Sequence, residues 1–254
     1  MRAVVIRDFG DADVLALESR PDPVPGNEEL LVRVDASGIN RADLLQRQGK
    51  YPPPPGASQD IPGLEFAGVV EAVGPDVTTW KVGERAMGIV TGGGYAELVL
   101  VHERAAVPVP SGVDPVPAGA IPEVFMTAFD AVVLQAGLEP GGVLLIHAVG
   151  SGVGTAALQL AARMGVRTLG TSRTQAKLER AMSMGLDVAI DAADDWSAAV
   201  LDHTDGRGVD VILDLVGGPY LQGNQKVIGA RGRHVVVGVP GGQVAEVNLR
   251  ALMA

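Results

Sequence analysis

Cysteine is absent from the chain, which excludes disulfides and thiolate metal sites, and the four histidines (His102, His147, His203 and His234) lack metal-ligand spacing. Aromatic residues make up only 4%. No apolar run approaches the roughly 20 residues that a membrane-spanning helix needs. Positive charge is also in short supply: 20 Lys and Arg stand against 30 Asp and Glu, a net charge of −10, with no basic run to serve as a general nucleic-acid surface. The opening MRAVVIRDFG enters a strand with no cleavable signal pattern, so the expected compartment is the cytoplasm. These absences leave a protein without metal catalysis that meets neither membrane nor nucleic acid. At 254 residues and 47% hydrophobic, the chain is long enough for two domains with ample core.

The richest stretch is 140–177. After the turn Pro140-Gly141-Gly142 comes Val143-Leu144-Leu145-Ile146, too short for a helix and uniformly apolar, as a strand buried on both faces of a parallel sheet must be. Ala148-Val149-Gly150-Ser151-Gly152-Val153-Gly154 follows. Val153, Ala156, Ala157, Leu160, Ala161 and Met164 then recur at helical spacing on one face, and a second strand at 166–171 closes a βαβ unit. A glycine turn at a helix start lets backbone N–H groups and the helix dipole meet an anion, so a pyrophosphate fits there. The match to G-x-G-x-x-G is incomplete: with Gly154 as the third glycine, the first two positions fall on Val149 and Ser151. A turn of this kind also serves helix packing alone.

The end of the second strand selects the nucleotide. An NAD site holds the ribose 2′-OH with Asp or Glu roughly 20 residues past the glycines. Here Gly170-Thr171-Ser172-Arg173 is followed by Lys177, two cations and two hydroxyls without a carboxylate, which suits the 2′-phosphate of NADPH. The alternative is an ordinary solvated helix start. A cation near a helix N-terminus is slightly unfavourable unless an anion offsets it.

The chain before this stretch reads as short strands at 2–7, 30–35, 66–73 and 95–101 separated by Gly and Pro, an antiparallel and partly closed β-barrel. A helix at 40–48 runs into the stiff loop Tyr51-Pro52-Pro53-Pro54-Pro55, which fixes Tyr51. Residues 107–122, rich in Pro and Gly, mark a domain join, giving domains 1–120 and 121–254. Beyond it a helix is expected at 123–138, carrying Phe125, Phe129, Val132 and Val133. Helices at 174–184, 195–203 and 220–229 then alternate with strands at 188–191, 209–216 and 234–239. Five alternating strands predict a right-handed doubly wound α/β sheet ordered 3-2-1-4-5, with the ligand crevice on the loops at the strands' carboxyl ends. His147 reads as a satisfied buried histidine, and Tyr95 as strand core or pocket lining.

Asn40-Arg41-Ala42-Asp43-Leu44, Tyr51-Pro52-Pro53-Pro54, Pro62-Gly63-Leu64-Glu65-Phe66-Ala67-Gly68 and Ser151-Gly152-Val153-Gly154, in a β domain followed by a doubly wound domain, resemble the medium-chain dehydrogenase/reductase superfamily. More narrowly they are similar to its zinc-free NADPH:quinone oxidoreductases of the zeta-crystallin type. The resemblance implies a GroES-like β domain and a Rossmann domain. The zinc alcohol dehydrogenases place His where Leu64 stands and Cys near Asn40, so the loss of both removes the Lewis acid. By position, it implies Asn40 and Tyr51 at the substrate pocket and Thr127 near the nicotinamide. Ser151, Gly152, Val153 and Gly154 would hold the pyrophosphate, Arg173 and Lys177 the 2′-phosphate, and Val216, Gly217 and Val239 the nicotinamide side. Where relatives carry a Tyr that covers the adenosine, Asp191 is followed by Ala192. Family chains also run on, adding a sixth Rossmann strand that pairs two subunits into a homodimer and a C-terminal return to the β domain. The expectation is therefore a C-terminally truncated fragment of a longer protein, with an apolar edge at 234–239.

Reduction without a metal needs a hydride donor, an electron-poor acceptor and a hydrogen-bond donor for the developing oxyanion. NADPH would supply the first, the Tyr51 phenol the last, and Asn40 would orient the carbonyl. Equally, Tyr51 packs on prolines and Asn40 caps the helix at Arg41. Three functions remain open: reduction of quinones, reduction of the conjugated double bond of enones, alkenals or enoyl thioesters, and a non-catalytic NADPH-binding sensor or structural protein.

Overall fold

The computed structural model describes residues 1–253. It divides into two compact units, Met1–Glu123 and Val124–Ala254. In the first, β1 (Arg2–Ile6) and β2 (Leu15–Ser19) form an antiparallel ribbon. The strands β3 (Glu29–Ala36), β4 (Glu65–Val73), β5 (Arg85–Ile89), β6 (Leu98–His102) and β7 (Ala106–Pro108) form an antiparallel sheet ordered β6-β3-β4-β5-β7. Alternation along these strands sends Leu30, Val32, Phe66, Val70, Val99 and Val101 into one core. Three of the seven strands, β2, β5 and β7, were not expected: each is short or carries charge, glycine or proline (Leu17-Glu18, Arg85 and Gly88, Pro108). The helix α1 (Arg41–Arg47) forms within the expected 40–48, and α2 (Pro115–Ala118) occupies part of the Pro-rich join.

The second unit opens on α3, which begins at the boundary (Pro122–Phe129) and continues as a π-helical stretch, Asp130–Gln135, in place of one helix over 123–138. The Ala136 N–H donates to Ala131 O, five residues back, at 3.0 Å. Then follow β8 (Val143–Ile146), α4 (Gly152–Met164), β9 (Arg167–Ser172), α5 (Gln175–Ser183), β10 (Val188–Asp191), α6 (Trp196–His203), β11 (Val209–Asp214), α7 (Leu221–Val227) and β12 (Ile228–Val236). The parallel order is β10-β9-β8-β11-β12, the expected 3-2-1-4-5. Central β8 is buried along its whole length, and its alternation divides it between two cores: Leu144 and Ile146 face one layer, Val143 and Leu145 the other. Each such side chain contributes about 1.5–3 kcal/mol through removal from water. The last strand starts six residues before the expected 234–239. Its first six residues, Ile228-Gly229-Ala230-Arg231-Gly232-Arg233, lack apolar alternation and include Arg231 at φ 62°; only Ile228 and Arg233 among them take partners on β11, on either side of a register shift.

His147, at the end of β8, is fully buried. Its Nδ1 lies 2.9 Å from Thr171 Oγ1 and its Nε2 2.7 Å from Asn224 Oδ1, while Trp196 and Tyr220 pack edge-on against its ring at 4.7 Å. With Asn224 Nδ2 donating onward to Asp214, the Asn224 carbonyl accepts from His147 Nε2–H, and Nδ1 accepts the Thr171 hydroxyl proton. Burial pushes the His147 pKa down to about 4, against the smaller upward pull of the Asn224 hydrogen bond and the Asp214 charge. In the unfolded chain it titrates near 6.5. Below that pH the unfolded chain binds a proton that the folded chain refuses. Stability is therefore fully present above about pH 6.5 and falls on the order of 3 kcal/mol as pH drops to about 4. Urea titrations of a Trp80→Phe background, followed by the remaining Trp196, should show this loss between pH 6.5 and 4. Adding His147→Gln should flatten it, and an equal loss with and without His147 would exclude the assignment.

Candidate functional site

At the carboxyl ends of β8, β9 and β11 the second unit carries a pocket of about 400 Å³, within the range of small-molecule sites. Ser151, Arg173, Lys177 and Val216, four of the residues singled out in the sequence, line it together with Tyr220 and Gly241. Gly152, Val153 and Gly154 belong to the helix start beside it, and Gly217 to the Val216 loop. Val239 is partly exposed beyond β12 and approaches Gly217 so closely that a Cβ there would stand 2.9 Å from Val239 Cα; neither lines the pocket. Thr127, half-buried on α3, does not line it either. A hollow of about 450 Å³ in the first unit is lined by Arg33, Glu71 and Glu97. Its charges are already matched, in the pairs Arg33–Glu71 and Arg2–Glu97.

The turn into α4 is shaped by close approach. A Cβ on Gly154 would sit 2.8 Å from both Ala148 O and Val149 O, so only glycine lets the helix lie this near the strand. Gly150 has the same constraint from the side: Lys177 Cβ lies 2.7 Å from where its own Cβ would be, so the lysine stem crosses the turn. Ala148 takes φ 50°, a left-handed conformation that alanine seldom adopts. Ser151 caps the helix, its hydroxyl accepting from the Gly154 N–H at 3.2 Å. The N–H groups of Gly152 and Val153, ahead of it, have no intrahelical acceptor, as in any first turn.

Arg173 and Lys177 form no salt bridge among the described residues, and no Asp or Glu lines the pocket. Two cations without a salt-bridge partner beside a helix N-terminus make the local potential positive, which favours an anion there. No group of three or more His, Asp or Glu side chains gathers as a metal centre would require among the described residues.

The opposite wall is organised by Asp214, a residue the sequence reading passed over. It is 1% exposed, yet its Oδ1 accepts the N–H groups of Val216 and Gly217 at 2.8 Å each, and its Oδ2 lies 3.1 Å from Asn224 Nδ2 and 3.0 Å from His234 Nε2. Burial pushes this carboxyl up, but the hydrogen bonds from His234, Gly217 and Val216 outweigh it and hold the pKa below the usual carboxylate range. The result is a clamped loop, which also exchanges backbone hydrogen bonds with Gly241 and Gly242. A carboxylate set among Val211, Ile212, Leu213, Leu215 and Val216 was its signal in the sequence.

In the first unit, Asn40 stands at the N-cap of α1, and its backbone N–H donates to Asp43 Oδ2 at 2.7 Å. Its side-chain amide donates to Glu65 Oε1 at 2.7 Å, while Glu65 Oε2 accepts the Glu123 N–H at 3.0 Å. Asp43 Oδ2 also accepts from the Tyr95 hydroxyl at 2.8 Å. Burial raises the pKa values of both carboxyls, and with the Asp43 charge it raises Tyr95 as well. Tyr51 is 44% exposed, and its hydroxyl has no partner among the described residues.

The chain is similar to known proteins in sequence and fold. Residues 26–111 match the alcohol dehydrogenase GroES-like domain, and residues 152–254 match the zinc-binding dehydrogenase domain. The quinone oxidoreductase of Homo sapiens is 31% identical over 257 residues, covering 100% of this chain and 77% of that protein. A pikromycin polyketide synthase component of Streptomyces venezuelae is 36% identical over 233 residues, or 90% of this chain; the chain spans 6% of that much longer protein. A mycobacterial protein crystallised with NADPH superposes with a TM-score of 0.89 at 30% identity, over 100% of this chain and 78% of that one. With its GroES-like and Rossmann units and its likeness to quinone oxidoreductases along its whole length, the chain belongs to the quinone oxidoreductase-like medium-chain dehydrogenase/reductase family of oxidoreductases.

Proposed function

We propose that the chain binds NADPH and reduces quinones without a metal. The observation that carries this reading is the pocket wall: Arg173 and Lys177 without a salt bridge among the described residues, and no carboxylate lining the pocket to hold a free ribose 2′-OH. Those side chains would hold the 2′-phosphate, and the helix start at Ser151, Gly152, Val153 and Gly154 would hold the pyrophosphate. Thr127, Val216, Gly217 and Val239 are assigned to the nicotinamide side. The residue types fit the group, since the glycine turn admits close backbone approach and neither cation is in a salt bridge among the described residues.

When bound, NADPH supplies a hydride. The chain itself orients the acceptor and offers a proton or hydrogen bond to the oxygen on which charge develops. Tyr51, exposed and with no hydrogen-bond partner on its hydroxyl among the described residues, is assigned that donor role. Asn40, its amide fixed by Glu65, is assigned to orient the carbonyl. The same donors serve the conjugated double bond of an enone, alkenal or enoyl thioester, because both acceptors are flat conjugated carbonyls. Assignment to the zinc-free branch rests on the absence of cysteine and on the resemblance, in which the zinc enzymes carry His where Leu64 stands and Cys near Asn40.

Fluorescence titration should show NADPH binding more tightly than NADH. Arg173→Ala with Lys177→Ala should weaken NADPH by about 10- to 100-fold, as loss of charge-assisted hydrogen bonds does, and leave NADH little changed. Equal affinity for the two nucleotides in the native chain would remove the phosphate assignment. Incubation with NADPH and 1,2-quinones, 1,4-quinones, an alkenal and an enoyl thioester, with product analysis, should yield reduced quinone. Tyr51→Phe should lower kcat on the order of 10²-fold at unchanged NADPH affinity. NADPH binding without consumption by any acceptor would identify a binding module instead.

A further inference from the structure

Ala192 leaves the end of β10 without an aromatic side chain, yet the pocket has an aromatic wall. Tyr220, which follows the clamped Val216-Gly217 loop, lines it together with Arg173. The Tyr220 ring stacks on Trp196, centroids 5.2 Å apart and planes 16° from parallel, and the His147 ring meets it edge-on at 4.7 Å and 76°. Trp196 opens α6, just past β10. A Cβ on Gly223 of α7 would come within 2.5 Å of Trp196 Cζ2 and Cη2, so a glycine in that helix makes the space that seats the indole. In a chain with only two Trp and three Tyr, one of each is committed to this stack. The Tyr220 hydroxyl makes no hydrogen bond among the described residues. The ring is thus held on two sides by aromatic contacts and opens onto the same cavity as two uncommitted cations.

We infer that Tyr220, backed by Trp196, is the platform on which the purine base of the bound nucleotide stacks. This rests on the dinucleotide reading of the pocket. Any base presents a π-face, so an aromatic ring fixed in place recognises it without base-specific hydrogen bonds. A ring already locked by its neighbours loses little side-chain freedom on binding. The stack also links two loops that a dinucleotide spans, the one after β10 and the one after β11. The phosphorylated ribose end would then be gripped by charge at Arg173 and Lys177 and by stacking at Tyr220.

The probe is adenosine 2′,5′-bisphosphate, which carries base and 2′-phosphate without nicotinamide, measured by calorimetry on the full chain. Tyr220→Phe should bind it within about twofold of the native protein, and Tyr220→Leu about 10- to 100-fold more weakly, the range found when a stacking ring is removed. Native affinity in Tyr220→Leu overturns the platform, and equal weakening in both variants assigns the effect to the hydroxyl instead. A second measurement does not depend on those variants folding. In a Trp80→Phe background, Trp196 fluorescence should change as the bisphosphate saturates, and no change would overturn the proposal. If the native chain binds neither the bisphosphate nor NADPH, the dinucleotide reading itself fails. If it binds both and only the Tyr220 results are negative, that reading stands and the stacking assignment falls.

Discussion

The second unit depends on one close approach. Helix α4 lies so near the end of β8 that position 154 has no room for a Cβ between it and the carbonyls of Ala148 and Val149. That contact turns the chain from strand to helix within a few residues, puts Ala148 in a left-handed conformation, and points the first amides of α4 past the end of the sheet. Because the sheet is parallel, the loops after β9 and β11 leave from the same end. Side chains as distant in sequence as Ser151, Arg173 and Tyr220 meet around one pocket as a geometric consequence.

The two units handle buried polarity in contrasting ways. Beneath the pocket, Asp214 is surrounded by donors, and its carboxylate is stabilised enough to keep its charge while it fixes the Val216–Gly217 loop. In the first unit, Glu65 and Asp43 are buried with fewer charge-stabilising partners, and burial prevails over their hydrogen bonds. The first network makes a rigid loop. The second holds Asn40 by its amide at the start of α1.

Much of this could be read from residue order. The four apolar residues of β8, the glycine turn and the periodic face of α4 carry strong local signals, and the alternation that follows leads to the observed strand order. Arg173 and Lys177 were visible as cations where a carboxylate would otherwise stand. Strands β2, β5 and β7 were not visible, since each draws its stability from cross-strand partners and not from its own pattern. The first six residues of β12 are a similar case: only Ile228 and Arg233 among them take partners on β11, on either side of a register shift. Glu65 lay within a motif already quoted, but nothing local said that its carboxylate would hold Asn40.

Sequence alone determined the elements whose information is local: the periodicity of β8 and α4, the absence of cysteine, and the charge pattern after β9. Tertiary structure decided what depends on contacts between distant residues. It made Asp214 the clamp of the pocket loop, set Tyr220 on Trp196 through the space left at Gly223, and buried His147 between Thr171 and Asn224. The reason is that a hydrogen bond or ring stack joining residues tens of positions apart leaves no periodic trace in either segment. Only packing the sheet and its helices brings such partners within reach.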